Sequence, residues 1–215
     1  DYGSLEMAIA YQAGNQRGVS VSDITSPSLG TTIIDFDTGV TYKGARTRLN
    51  EQLNWTMGPL CLSGECLTET RELFQTVTAT PVDEDVTLAS WYLGGSYYLT
   101  GEDAKFGSLP KVKDPVHKGG NGAWQLAFRY AGFNPSQNLY LNSSSITAVG
   151  YASKIRSVEK MNELFFGVNY YPVNNVRFSL AYVLAQFDND IATGATATDL
   201  IDDEDAVLLR AQFMF

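Results

Sequence analysis

The stretch VRFSLAYVLAQF, residues 176–187, alternates with period two. Val176, Phe178, Leu180, Tyr182 and Leu184 fall on one face of an extended chain. Arg177, Ser179, Ala181 and Ala185 fall on the other. Side chains of a strand point alternately to its two faces, so this pattern describes a strand between an apolar and a polar medium. The same reading extends outward in both directions. In GAWQLAFRYAG, Trp124, Leu126, Phe128 and Tyr130 oppose Gln125, Ala127 and Arg129. In RTRLNEQLNWTMG, Leu49, Leu53, Trp55 and Met57 oppose Arg48, Asn50, Gln52, Asn54 and Thr56. In ELFFGVNYY, Leu164, Phe166, Val168 and Tyr170 oppose Glu163, Gly167 and Asn169. At the end of the chain Val207, Leu209, Ala211, Phe213 and Phe215 oppose Glu204, Arg210 and Gln212.

Eight such strands are predicted, at 3–12, 46–57, 59–71, 86–99, 122–132, 161–171, 174–187 and 205–215. Their length is what a tilted strand needs to cross a bilayer, roughly 9–11 residues. Ordinary globular strands run nearer 5–6. The connections alternate in size. Gly58-Pro59 and Pro172-Val173 are short turns. Segments 13–45, 72–85, 133–160 and 188–204 are long and polar. Connection 100–121 is long where the plan calls for a short turn. Short turns at one rim and long loops at the other describe an antiparallel transmembrane β-barrel, all-β, in one segment spanning 1–215 with no separate domain. A soluble sandwich binding carbohydrate through Trp and Tyr is the competing all-β reading. Aromatics near strand ends and isolated charges in mid-strand on the opposite face favour the barrel.

Composition narrows the function. Lys plus Arg total 15 against 24 Asp plus Glu, a net charge of -9, which argues against nucleic-acid binding. No run approaches the ~18 apolar residues of a membrane-spanning helix. Asp1 in place of an initiator Met suggests a processed or excised chain. Cys61 and Cys66 are an odd number of positions apart, so within one strand they face opposite sides and do not bond. No catalytic signature is present, and the single His117 lies in the loop-like VHKGGNG. The acidic tract 188–206 reads as a solvated loop rather than a cation site. Asn54 and Asn142 each begin a glycosylation sequon. We therefore expect no enzyme and no cofactor.

Several segments resemble the phosphate-selective porin family (porins O and P) in that family's own order. They are DFDTG at 35–39, GPLCLSGE at 58–65, SWYLGGSYYLTGE at 90–102, GAWQLAFRYAGF at 122–133, FGVNYYPVNNVRFSLAYV at 166–183 and LLRAQFMF at 208–215. The resemblance implies the C-terminal half of a sixteen-stranded porin of the Gram-negative outer membrane. It also implies a homotrimer in contact with membrane lipid and lipopolysaccharide, passing small ions or solutes, phosphate among them, by passive diffusion. A structural or adhesive barrel is the alternative. Gln125 stands where the family has Glu, and Glu51 falls on the lipid-facing side.

Candidate pore-lining residues are Arg48, Arg129, Arg177, Arg210, Glu65 and Gln125. Guanidinium groups offer forked donors to passing oxyanions. The plainer alternative is that the arginines pair with Glu65, Glu163 and Glu204 and hold the wall together. Lys105, Lys111, Lys113 and Lys118 form a further basic stretch, placed at the short-turn rim.

Overall fold

The computed structural model describes residues 2–75, 82–140, 150–193 and 198–214. Eight strands form one antiparallel sheet in sequential order: β1 (Ser4–Asn15), β4 (Val40–Met57), β5 (Leu60–Gln75), β6 (Val82–Tyr98), β7 (Ala123–Pro135), β8 (Met161–Val173), β9 (Val176–Thr193) and β10 (Asp199–Phe213). A small hairpin, β2 (Ile24–Thr25) and β3 (Thr32–Ile34), lies between β1 and β4. The sheet is open, with β1 and β10 as its edges. The one other sheet among the described residues is the two-stranded β2–β3 hairpin, too small to be the second layer of a sandwich, so the sandwich reading is set aside. No helix is long and apolar enough to cross a membrane.

All eight expected strands form. Most run further at the long-loop rim, by up to six residues. The apolar-outside signal stops earlier because the pattern inverts there on β5 and β6: Glu72, Asp83 and Asp85 lie on the outer face and Leu73, Val86 and Leu88 are buried on the inner one, while backbone pairing continues. Three expectations are corrected by this. The tract 188–206 is not a loop: its ends are the paired extensions of β9 and β10, and positions 194–197 lie outside the described residues. Segment 13–45 is not all loop, since it holds β2, β3 and the start of β4. The turn expected at Pro172-Val173 sits at Asn174-Asn175, two residues later. The Asn142 sequon and Phe215 fall outside the described residues.

The turn at Gly58-Pro59 sets the register of β4 on β5. From Arg46 to Met57 each residue faces the one equally far from the turn, so Arg48 meets Glu69 and Glu51 meets Cys66. Gly58 takes φ of +50°, a left-handed conformation that disfavours a side chain. The two cysteines are free and on opposite faces, as their odd spacing requires.

The outer face is apolar and exposed: Leu53, Leu93, Trp124, Phe128, Phe166, Phe178, Leu180 and Leu209 are all open. Aromatic side chains cluster at the short-turn end, with Trp124 and Tyr170 at 4.6 Å and Phe178 and Phe213 at 6.4 Å. That is where an interfacial girdle sits in a membrane barrel. Glu51 does face outward, between Ile9 and Cys66. A carboxylate costs less there than a basic side chain does.

The buried core lies on the other, concave side. The expected loops fold back onto it. One cluster joins Ile34, Phe36 and Tyr42 to Leu73, Leu88 and Tyr151 at the long-loop end. Another joins Tyr98 and Tyr171 to Ala104 and Val112 at the short-turn end. Between these apolar ends the inner wall is polar, which is what places the candidate site.

Candidate pore lining

Strand alternation puts Arg48, Glu65, Gln125, Arg129, Arg177 and Arg210 on the concave face. Facing partners share a face, and Arg210 lies opposite Ser179, Gln212 opposite Arg177, and Gln52 opposite Glu65. The apolar partners Leu209 and Leu180 face the other way.

Toward the long-loop end the arginines are tied down. Glu69 accepts hydrogen bonds from Arg46 Nε at 2.6 Å, Arg48 Nε at 2.9 Å and Arg71 Nε at 2.5 Å. Arg46 and Arg71 also lie over the ring of Tyr42, at 5.4 and 5.8 Å from its centre. Glu69 is buried, so three cations replace the hydration it has lost. The pairing expected with Glu65 and Glu204 does not form: Glu65 accepts from Asn50 and Glu204 accepts from Thr31. Glu69 was not among the expected site residues. Its signal was available, because counting outward from the Gly58-Pro59 turn sets it opposite Arg48.

At mid-wall Arg129 Nη2 donates to Glu163 Oε1 at 2.5 Å and to Ser28 Oγ at 3.1 Å. Ser28 Oγ donates to the same carboxylate at 2.9 Å. Ser28 belongs to the β2–β3 hairpin, so this triad pins the hairpin onto the inner wall. Thr31, from the same hairpin, donates to Glu204. Gln125 is a wall residue with little freedom. It donates to Ser96 Oγ at 2.9 Å and accepts from Asn169 Nδ2 at 2.9 Å and Tyr171 Oη at 3.0 Å.

Toward the short-turn end the guanidiniums are free of carboxylates. Arg177 Nη2 donates to Gln212 Oε1 at 2.7 Å, and its buried Nε has no partner among the described residues. Arg129 Nε is likewise buried and unpartnered. Arg210 is exposed and makes no ion pair among the described residues. Arg129 and Arg177 line a cavity of about 560 Å3 with Lys105, Tyr98, Ser63 and Ser96.

Lys105 arrives there because connection 100–121 folds under the barrel wall instead of making a short turn. Ala104 N donates to Gly58 O at 2.7 Å, and Val112 N donates to Asn174 Oδ1 at 2.9 Å. Buried Glu102 accepts from Lys113 N at 3.2 Å and from Thr100. Lys111, Lys113 and Lys118 line an adjoining depression of about 930 Å3 with Asp103 and His117, and Lys105 borders both. His117 itself sits in a short 3-10 turn, Val116–Lys118. No group of three His, Cys, Asp or Glu side chains suited to a metal is found among the described residues.

A continuous wall, apolar outside and arginine-bearing inside, coincides with a family match. The family model for the phosphate-selective porin O and P matches residues 15–215. The chain belongs to this porin family. Among curated proteins it is similar to Porin O of Pseudomonas aeruginosa, 28% identical over 169 residues. That match covers 75% of this chain and 33% of the relative, so the chain spans about a third of that protein's length. All six segments that resemble the family, SWYLGGSYYLTGE at 90–102 and GAWQLAFRYAGF at 122–133 among them, fall inside the matched span.

Proposed function

We propose that this chain is one wall segment of a porin of the bacterial outer membrane, a channel rather than an enzyme, through which small hydrophilic anions diffuse passively. The observation that carries this is the short-turn half of the lumen. Arg129, Arg177 and Lys105 surround one cavity there, and two guanidinium N–H groups lack partners. The positive charge of Arg177 and Lys105, with no carboxylate paired to either among the described residues, attracts a passing oxyanion. Phosphate suits them through its several acceptor oxygens.

The net charge of -9 does not oppose this. Many of the acidic side chains lie at the long-loop end, as at Asp188, Asp190 and Asp203. Screening limits their reach to roughly 8–10 Å at ordinary salt. Contact with lipid and lipopolysaccharide through the outer face, and assembly as a homotrimer, belong to the same reading. The apolar, aromatic-girdled outer face supports the lipid contact.

The test is the reversal potential of the full-length protein in a planar bilayer under a KCl gradient, repeated with phosphate added. An anion-selective reversal potential and a chloride current reduced by phosphate are expected. A silent bilayer favours the anchoring or adhesive barrel. A cation-selective pore overturns the anion reading.

A further inference from the structure

The Arg129–Glu163 pair has a second side. Above it, between the β2–β3 hairpin and the inner wall, lies a cavity of about 370 Å3. This is at the lower end of the roughly 300–1,000 Å3 of small-molecule sites. Its apolar lining is Ile24 and Ile33 from the hairpin with Leu67, Phe133 and Met161 from the wall. Its charged lining is Glu65, Arg129 and Glu163. Two carboxylates face one guanidinium, so the charge of this lining is negative, opposite to that of the cavity below.

Glu163 is the telling group. It is 3% exposed, and both of its hydrogen bonds, from Ser28 and Arg129, go to Oε1. Its Oε2 is buried with no partner among the described residues. A buried carboxylate oxygen left without a donor is costly. Glu163 lines a cavity whose walls are otherwise mostly hydrocarbon. Such a site accepts a donor carried on an apolar body, and the negative lining favours a cationic donor over a neutral one.

We propose that this cavity binds a primary ammonium bearing a compact apolar group. The ammonium donates to Glu163 Oε2, and the apolar group packs between the hairpin and the wall. The proposal rests on the porin reading only for the access of solute to the lumen. It gives the lumen two chambers of opposite preference, divided by one salt bridge.

Equilibrium dialysis of the detergent-solubilised full-length protein against phenethylammonium chloride tests it without requiring conduction. Saturable binding is expected, with little binding of the isosteric anion 3-phenylpropanoate. Glu163→Gln removes the charge at the free oxygen and weakens binding about tenfold or more. Ala131→Leu fills the same cavity without changing any charge and weakens it independently. Equal binding of cation and anion, binding of neither, or binding unaffected by both substitutions overturns the proposal. Conductance in KCl is recorded separately. A conducting protein that binds no phenethylammonium refutes this inference alone. A silent protein refutes the porin reading alone.

Discussion

Three arginines toward the long-loop end of the inner wall share one carboxylate, whereas Arg177 and Arg210 toward the other end face none. The same side chain on the same face of the same sheet thus does two jobs. Around Glu69 the guanidinium donors are spent on the protein, and the arginines lock β4 to β5. Toward the other end Arg177 and Arg210 carry a charge that no carboxylate among the described residues neutralises. Counting arginines on a lumen wall therefore overstates the number that meet a solute. What decides is whether a carboxylate lies within reach across the sheet.

The largest expected effect strikes the locked region. Glu69→Gln strands three guanidiniums, two of them mostly buried, and should cost about 3–5 kcal/mol of stability. The midpoint of heat or guanidinium unfolding in detergent measures it. A loss below about 1 kcal/mol would show that the cluster is not a lock.

Next comes the open region. Arg177→Gln with Arg210→Gln should reduce the anion-to-cation permeability ratio, by roughly sixfold per charge at low salt. A unit charge acting over ~8 Å of water changes each ion about 2.4-fold, in opposite senses for anion and cation. Reversal potentials under a salt gradient read it, and the unfolding midpoint should move little. An unchanged ratio would place these arginines with the locked set.

Arg48→Gln is the control that sharpens the contrast. Arg48 is part exposed, and two arginines remain on Glu69 without it. Stability should fall by about 0.2–1 kcal/mol, with no change in selectivity. A selectivity change as large as that of Arg177→Gln would erase the distinction between the two regions.

How much of this was legible follows from where the information resides. Alternation is local, so the eight strands and their two faces were readable along the chain. The faces of Arg129, Arg177 and Leu209 follow from it. The Glu69 cluster was also encoded, in the distance of each residue from a two-residue turn, but it takes register as well as alternation to see it. The role of the β2–β3 hairpin was not readable. Ser28 meets Glu163 across 135 positions, and nothing periodic announces a loop that folds inward. Lys105 was placed at the correct rim, yet only the fold of 100–121 brings it beside Arg177. The acidic extensions of β9 and β10 were read as loop because charge on both faces erases the pattern while the backbone pairing persists.

The smallest expected effect concerns the cap above the locked region. Asp35 and Asp37 join the segment 150–153. Asp37 N donates to Tyr151 O at 3.0 Å, and Gly150 N donates to Asp37 Oδ2 at 3.1 Å. Burial pushes both carboxyls above their ordinary range. Raised carboxyl values mean that the docked cap binds protons more readily than the released one. Docking is therefore firmest below the ordinary carboxyl range and loosens as pH rises through the raised values. Amide exchange at Asp37 and Ser153, corrected for intrinsic pH dependence, should show protection falling over that window by less than about tenfold. Protection rising with pH would reverse the assignment.

The Gly58-Pro59 turn has a consequence for how such a wall changes by descent. Each partner between Arg46 and Met57 is fixed by its distance from two residues. Inserting or deleting a single codon there shifts one strand against the other and separates Arg46 and Arg48 from Glu69 at once, leaving it only Arg71 on its own strand. Length is therefore frozen at this turn, while spelling is comparatively free. At the opposite rim the segments 16–39 and 136–160 join their strands over a length that fixes no partner. Insertions should accumulate there over time, and any novelty the lineage acquires in its loops should enter from that side.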